Sequence, residues 1–414
     1  MPWKRTDVHE QRMQFVIRAV RGQESLAALC REFGISRPTG YLWRERYQQV
    51  QSLAEMQEQS RRPWQSPQRT EEWKEQRVVA LRQRYGWGAK KLQVMLAEEG
   101  IELPVVTLNR ILKRNGLVHP EQSHGPAVER FERARPNELW QMDGKGWYGM
   151  REGICYPLSI LDDHSRYAVG LYALPQFNAE RVHGCLVETF QCYGVPEAML
   201  LDHDPLWWSN TNGYGLTWLS VRLIQQGIRL HYGRVGHPQT QGKVERFHRT
   251  LNEALQHEGR PQQWAEWGPA LERFRHCYNH VRPHEALGMQ RPVERYCPSA
   301  RAYQPQPLEW AYPEGSEVKR LNSQGCLDDG GDRWFVCEAL AGERVRIERF
   351  DGRLLVSYRH MYVRDIDPCR RSSQAVVVPR RVGRGAAATL SQALWSPSGL
   401  PPGPTQRETQ QEEV

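Results

Sequence analysis

The 414-residue sequence contains no uninterrupted apolar run of the roughly 18 residues that a membrane-spanning helix needs, so no membrane span is expected. Its first residues, Met1-Pro2-Trp3-Lys4-Arg5, run into further charged positions without an apolar segment behind them, and secretion is not expected. Nine cysteines, an odd number with no C-x-x-C pair, argue against a disulfide framework and against a zinc ribbon. Familiar catalytic signatures are missing too. Gly236 and Gly242 are separated by five residues and Lys243 is followed by Val244, which does not make a phosphate loop. No G-x-S-x-G occurs, and His284-Glu285 continues as Ala286-Leu287-Gly288 rather than as H-E-x-x-H. ATP use is unsupported. What remains is a soluble, intracellular chain, and at roughly 150 residues per domain it holds two to four domains.

A hydrophobic content of 39% with 15 Trp excludes wholesale disorder. The net charge of +8 is unevenly spread: residues 1–130 carry 22 basic and 15 acidic side chains, whereas 131–300 carry 18 of each. The excess therefore sits on the first third, where a polyanion such as nucleic acid can be gripped. That third reads as helical. Phe15, Val16, Ile17 and Val20 make one amphipathic helix, Ser25 caps a second over 26–33, Gly34 stops it, and Ser36 caps a third from Arg37 to about Tyr47. Helix, short turn, helix is the helix-turn-helix pattern, whose second helix enters the DNA major groove, with Arg37, Thr39 and Arg44 on or near its exposed face. The bland alternative is a plain three-helix bundle. The basic surface favours DNA binding.

A polar linker follows at 57–69, and a second helix-turn-helix or winged-helix-like unit spans 70–120. Lys90, Lys91, Arg110, Lys113 and Arg114 make that unit basic. From residue 139 the texture changes: strands are predicted at 139–143, 155–161, 167–173, 197–201 and 228–231, and helices at 178–193, 217–226 and 240–257. This predicts a mixed α/β core over 131–300 with a five-stranded sheet. Strand-like text returns at 318–321, 333–337, 343–349 and 354–358, with Asp351-Gly352 as a hairpin turn, predicting a small all-β, barrel-like module at 305–368. Residues 369–414 read as a disordered tail.

Three carboxylates stand out by position. Asp143 ends the first strand, Asp202 follows the apolar strand Ala198-Met199-Leu200-Leu201, and Glu245 sits on the helix that begins near residue 240. Two carboxylates at strand ends and a third on a facing helix can converge on hard divalent cations, Mg²⁺ or Mn²⁺, two of which suit phosphodiester chemistry. A lone Asp at a strand end is more often a turn cap. The surrounding phrases alter that balance.

Those phrases are Leu139-Trp140-Gln141-Met142-Asp143, Leu161-Asp162-Asp163-His164-Ser165-Arg166-Tyr167, His237 through Leu251, Tyr278-Asn279-His280-Val281-Arg282-Pro283-His284-Glu285-Ala286-Leu287, and Arg291-Pro292 before Tyr296. In this order over 139–296 the chain resembles the DDE transposases of bacterial insertion sequences, whose catalytic core is similar to that of retroviral integrases. The resemblance implies an RNase H-like core with Asp143, Asp202 and Glu245 as the catalytic, metal-holding triad, and two Mg²⁺ or Mn²⁺ ions per site. It implies binding to the terminal inverted repeats of a mobile element, DNA cleavage and strand transfer into target DNA. It also implies a homodimer or higher assembly on DNA in the bacterial cytoplasm, associated with the nucleoid.

The sequence departs from the family pattern in places. His203-Asp204-Pro205 replaces the usual Asn-Gly after the second Asp, and Asp204 either alters the metal site or caps the loop, the cap being favoured. Asn252 stands where viral integrases often have a basic residue, and Arg249, sharing a helix face with Glu245, is the candidate to take over the phosphate contact. Lys243 is either a DNA-backbone ligand or a solvated surface lysine. Asp162 is read as a structural partner beside Arg166. The viral His-His-Cys-Cys zinc pattern is absent, so no zinc is expected. The rival reading is a non-catalytic DNA-binding regulator or domesticated relic, but three intact carboxylates that repel one another without a cation favour an enzyme.

Overall fold

A computed structural model describes residues 8–53, 69–118, 132–210, 215–233, 242–306 and 309–376. The expected linker at 57–68, the phrase at 237–241 with the expected helix start near Thr240, and the tail beyond residue 376 lie outside these. The chain divides into two compact units, Met1–Glu71 and Glu72–Val414.

The first unit holds α1 (Val8–Arg21), α2 (Leu26–Glu32) and α3 (Arg37–Val50). The expected caps form: Ser25 accepts from the Ala28 amide and Ser36 from the Thr39 amide, each at 3.3 Å, satisfying amides that a helix start leaves unpaired. Phe15, Val16, Leu29, Cys30, Ile35 and Trp43 form the core. Gly40 lies inside α3, where glycine costs helix stability. The close packing of the three helices requires it, since a Cβ there would fall 2.4 Å from the Cys30 sulfur.

The second unit opens with α4 (Glu72–Tyr85), α5 (Ala89–Glu98) and α6 (Val105–Arg114), packed through Val78, Leu81, Leu92, Leu96, Leu108, Ile111 and Leu112. This bundle is fastened to His257 and to the chain around residues 277–295. Arg291 meets Glu98 at 2.6 Å, Lys91 and Lys90 meet Glu285 at 3.3 and 3.5 Å, and a ring nitrogen of His257 meets the Gln83 carbonyl at 2.7 Å.

The core follows with β1 (Trp140–Gly144), β2 (Tyr148–Met150), β3 (Gly153–Asp162), β4 (Ala168–Leu174), α7 (Ala179–Tyr193), β5 (Ala198–Leu201), α8 (Trp218–Gln225), β6 (Arg229–Tyr232), α9 (Gly242–Glu258) and α10 (Trp264–His276). β3 pairs antiparallel with β4 along one edge and with β1 and then β2 along the other, while β5 and β6 add parallel to β1. The sheet is mixed, as expected, but has six strands rather than five. The extra one, β2, is three residues long and continues the β1 edge of β3 after a kink at Gly144–Trp147, too short to show an alternation of its own. One face buries Trp140, Met142, Leu158, Ile160 and Val169 against α7 and α8. The other buries Cys155, Leu161, Ala168 and Leu171 against Val244, Phe247 and Leu251 of α9 and Trp267, Leu271 and Phe274 of α10.

The C-terminal module is antiparallel: β7 (Glu317–Arg320), β8 (Cys326–Asp329), β9 (Asp332–Phe335), β10 (Arg344–Phe350), β11 (Arg353–Tyr358), β12 (Met361–Asp367) and β13 (Ser372–Gln374). Five strands run in the order β13-β12-β11-β10-β7, and β8-β9 is a separate hairpin. A barrel-like module was the expectation; the module is all-β and antiparallel, and among the described residues β13 and β7 are not paired with each other to close the sheet.

Candidate active site

Parallel pairing sets Gln141 of β1 opposite Leu200 of β5. Two residues further on come Asp143, in β1, and Asp202, just past the end of β5 and near enough for its charge to act on Asp143. On the opposite edge of β1, Asp143 faces Ser159 of β3. Side chains alternate along a strand, so Gln141 and Asp143 share the face covered by α9, on whose first turn Glu245 lies. Glu245 is exposed, whereas Asp143 is largely buried.

Burial, reinforced by the charge of Asp202 and then of Glu245 and Asp204, pushes the Asp143 carboxyl up from 3.8 to about 7; the Gly144 amide opposes the rise. The acidic groups are therefore near enough to repel one another. Among the described residues no three His, Cys, Asp or Glu side chains are gathered as tightly as a metal ion needs. The donors are all oxygens that repel one another, which fits a hard divalent cation.

Each acid is held by neighbours. Asp202 Oδ1 accepts from the Trp207 indole at 2.8 Å and from the Asp204 amide at 3.0 Å. Asp204 caps the loop, as favoured, by accepting from the Leu206 amide at 2.9 Å, and its charge still reaches Asp143. His248, one turn after Glu245, places Nδ1 3.7 Å from Asp143 Oδ2 and Nε2 2.9 Å from Ser159 Oγ. Burial, with Lys145 adding to it, lowers its pKa to about 3, so the ring stands neutral between two strands. His248 and Ser159 carried no assigned role in the sequence.

Other motif residues prove to be architectural. Asp162 is buried, accepts from the Ser165 amide and hydroxyl at 2.8 and 2.6 Å and from the Asn137 amide at 2.7 Å, and so fixes the turn after β3. Its partner is Ser165 rather than Arg166, whose guanidinium meets Glu132 at 3.1 Å. α10 widens into a π-type turn over Cys277–Val281, where Asn279 accepts from the Ala168 amide at 2.8 Å and donates to its carbonyl at 3.0 Å. The residues expected to contact DNA differ in exposure, and some of them, exposed ones included, are also paired within the protein. Arg37, Lys90, Arg110, Lys113, Arg114 and Arg249 are exposed, with Thr39 and Arg44 partly so. Within the protein, Lys90 and Lys91 pair with Glu285, Arg114 with Glu75, and Lys243 with Asp163.

Among known proteins, the family model described as "Integrase core domain" matches residues 226–292, which include Glu245 but neither Asp143 nor Asp202. The "Helix-turn-helix domain" model matches residues 11–63. An uncharacterized 31.7 kDa protein of insertion element IS407 from Burkholderia multivorans is 24% identical over 226 residues, 53% of this chain and 78% of that protein. Similar solved structures include the HTLV-2 integrase catalytic core domain in complex with magnesium, 13% identical with a TM-score of 0.31 over 39% of this chain and 97% of that one. Another is the simian T-cell lymphotropic virus intasome in complex with PP2A regulatory subunit B56 gamma, 16% identical with a TM-score of 0.35 over 73% of this chain and 100% of that one. The resemblance to insertion-sequence transposases with an integrase-like core holds. No described helix is long and apolar enough to cross a membrane.

Proposed function

We propose that this chain, similar to insertion-sequence transposases and carrying an integrase-like core, binds the terminal repeats of a mobile DNA element and catalyses cleavage and strand transfer there. The observation that carries the reading is Asp143: a carboxyl pushed to about 7 by burial and by Asp202, Glu245 and Asp204, at the carboxyl end of parallel strands. Asp143, Asp202 and Glu245 would hold Mg²⁺ or Mn²⁺, two ions per site, and the cations supply charge neutralisation at the scissile phosphate. The chain's own residues do the rest. The indole of Trp207 and the Asp204 amide orient Asp202, and neutral His248, bonded to Ser159, lies beside Asp143. Glu245, exposed on α9, stands where a DNA strand can approach, with Arg249 one turn later as a backbone contact.

Recognition is assigned to α3 through Arg37, Thr39 and Arg44, and to Lys90, Lys91, Arg110, Lys113 and Arg114 of the second helical bundle, with the domain limits read from the sequence. The ion pair of Lys90 with Glu285 is a surface pair that a phosphate can replace at little cost, whereas Lys91 is largely buried and Arg114 pairs with the buried Glu75. A transposon has two ends and each site acts on one strand at a time, so at least two protomers act together. We place this assembly in the bacterial cytoplasm on the nucleoid.

The test separates binding from chemistry. Asp143→Asn, Asp202→Asn and Glu245→Gln should each abolish cleavage and strand transfer by the full chain while leaving affinity for the transposon end close to wild type. Retained strand transfer in any of the three would overturn the triad.

A further inference from the structure

A second carboxylate, Asp163, lies behind this site and takes no part in it. Its side chain is fully buried, and Lys243, 17% exposed, pairs with it. Gln141 Nε2 donates to Asp163 Oδ1 at 2.7 Å, and the Arg133 amide donates to Oδ2 at 2.8 Å. The Lys243 ammonium also donates to the Asp163 carbonyl at 3.3 Å, and the Asp163 amide donates to the Leu139 carbonyl at 2.9 Å. Oδ1 of this carboxylate is thus shared between Gln141 of β1 and Lys243 at the start of α9, while Oδ2 is held by the segment before β1.

The positions matter. Gln141 precedes Asp143 by two residues on the same face of β1, and Lys243 precedes Glu245 by two residues in the first turn of α9. A cation in the first turn opposes the helix macrodipole, and a buried ion pair seldom stabilises more than apolar packing would. Its attested use is to fix one geometry. Here the pair joins the strand that bears one member of the acidic site to the helix that bears another.

We propose that Asp163 and Lys243 are positioning residues: their buried pair, extended to Gln141, sets the spacing of Glu245 from Asp143 and with it the affinity of the acidic site for a divalent cation. The proposal rests on the triad reading above. It gives Lys243 a role inside the protein rather than on the DNA backbone.

Mn²⁺ titrated calorimetrically into the full chain without DNA reads the effect independently of activity. Lys243→Met leaves a buried carboxylate unpaired and can impair folding, so the double variant Asp163→Asn/Lys243→Met, which removes both charges, is compared after a thermal melt shows that it is folded. Both Lys243→Met and the double variant should weaken Mn²⁺ binding about ten- to a hundredfold, as loss of groups that orient metal ligands does. Lys243→Arg should recover part of the loss. A folded double variant with wild-type Mn²⁺ affinity would overturn the proposal. So would a Lys243→Met variant whose only change is a salt slope of DNA binding shallower by about 0.9, the mark of one lost phosphate contact. Asp143→Asn is the control: if it too binds Mn²⁺ like wild type, the triad reading itself has failed, whereas loss of binding there with none in the double variant condemns the brace alone.

Discussion

Asp143 binds a proton more tightly in the fold than in an extended chain, and the sign of that difference is informative. Its carboxyl rises from 3.8 to about 7, so its contribution to the metal-free fold is present below pH 3.8 and lost as pH climbs towards 7. His248 acts in the opposite sense: lowered from 6.5 to about 3, it supports the fold above pH 6.5 and ceases to do so as pH falls. Comparing Asp143→Asn with wild type isolates the first effect. Without divalent cations the variant should be the more stable at pH 8, by at most roughly 4 kcal/mol for a rise of this size, and the gap should close below pH 4. Chemical denaturation at the two pH values measures it. A variant less stable than wild type at pH 8 would show that Asp143 is not strained by its acidic neighbours. At this scale the proposed triad is named from the sequence because each acid ends or follows a strand or opens a helix. Asp163 is not, because it stands beside Asp162 in one doublet and no spacing distinguishes the acid that fixes the turn from the one that reaches Gln141 and Lys243.

Among elements, legibility followed periodicity. The apolar runs of β1, β3 and β4 placed these strands within two or so residues, and the caps Ser25 and Ser36 placed the starts of their helices. β12 went unseen for a physical reason. A bulge at Val356/Ser357 of its partner register sets Val363 and Arg364 both inward, with the Arg364 side chain buried against Phe335 and bonded to the Val336 carbonyl at 2.7 Å. That breaks the period of two on which a strand is recognised. β2 failed the same test by shortness. The pairing of β1 with β5, which brings Asp143 beside Asp202, is a contact between residues about 59 apart in sequence, and local pattern carries no record of it.

At the scale of the whole molecule, the proposed function puts affinity and chemistry in different places: basic helical bundles towards the N-terminus and an acidic site in the core. Salt should report the former. Arg37→Ala with Arg44→Ala in the full chain removes two candidate phosphate contacts, so the log–log salt slope for a transposon end should become shallower by about 1.8. An unchanged slope in a binding titration across salt concentrations would remove α3 from the interface.

The claim on which the account depends most is that Asp143 holds a divalent cation. The most direct measurement is strand transfer by Asp143→Cys in Mg²⁺ and in Mn²⁺. Sulfur is a soft ligand, poor for Mg²⁺ and better tolerated by Mn²⁺. The account predicts a variant that is inactive with Mg²⁺ and regains activity with Mn²⁺. Full activity with Mg²⁺, without preference for Mn²⁺, would contradict it.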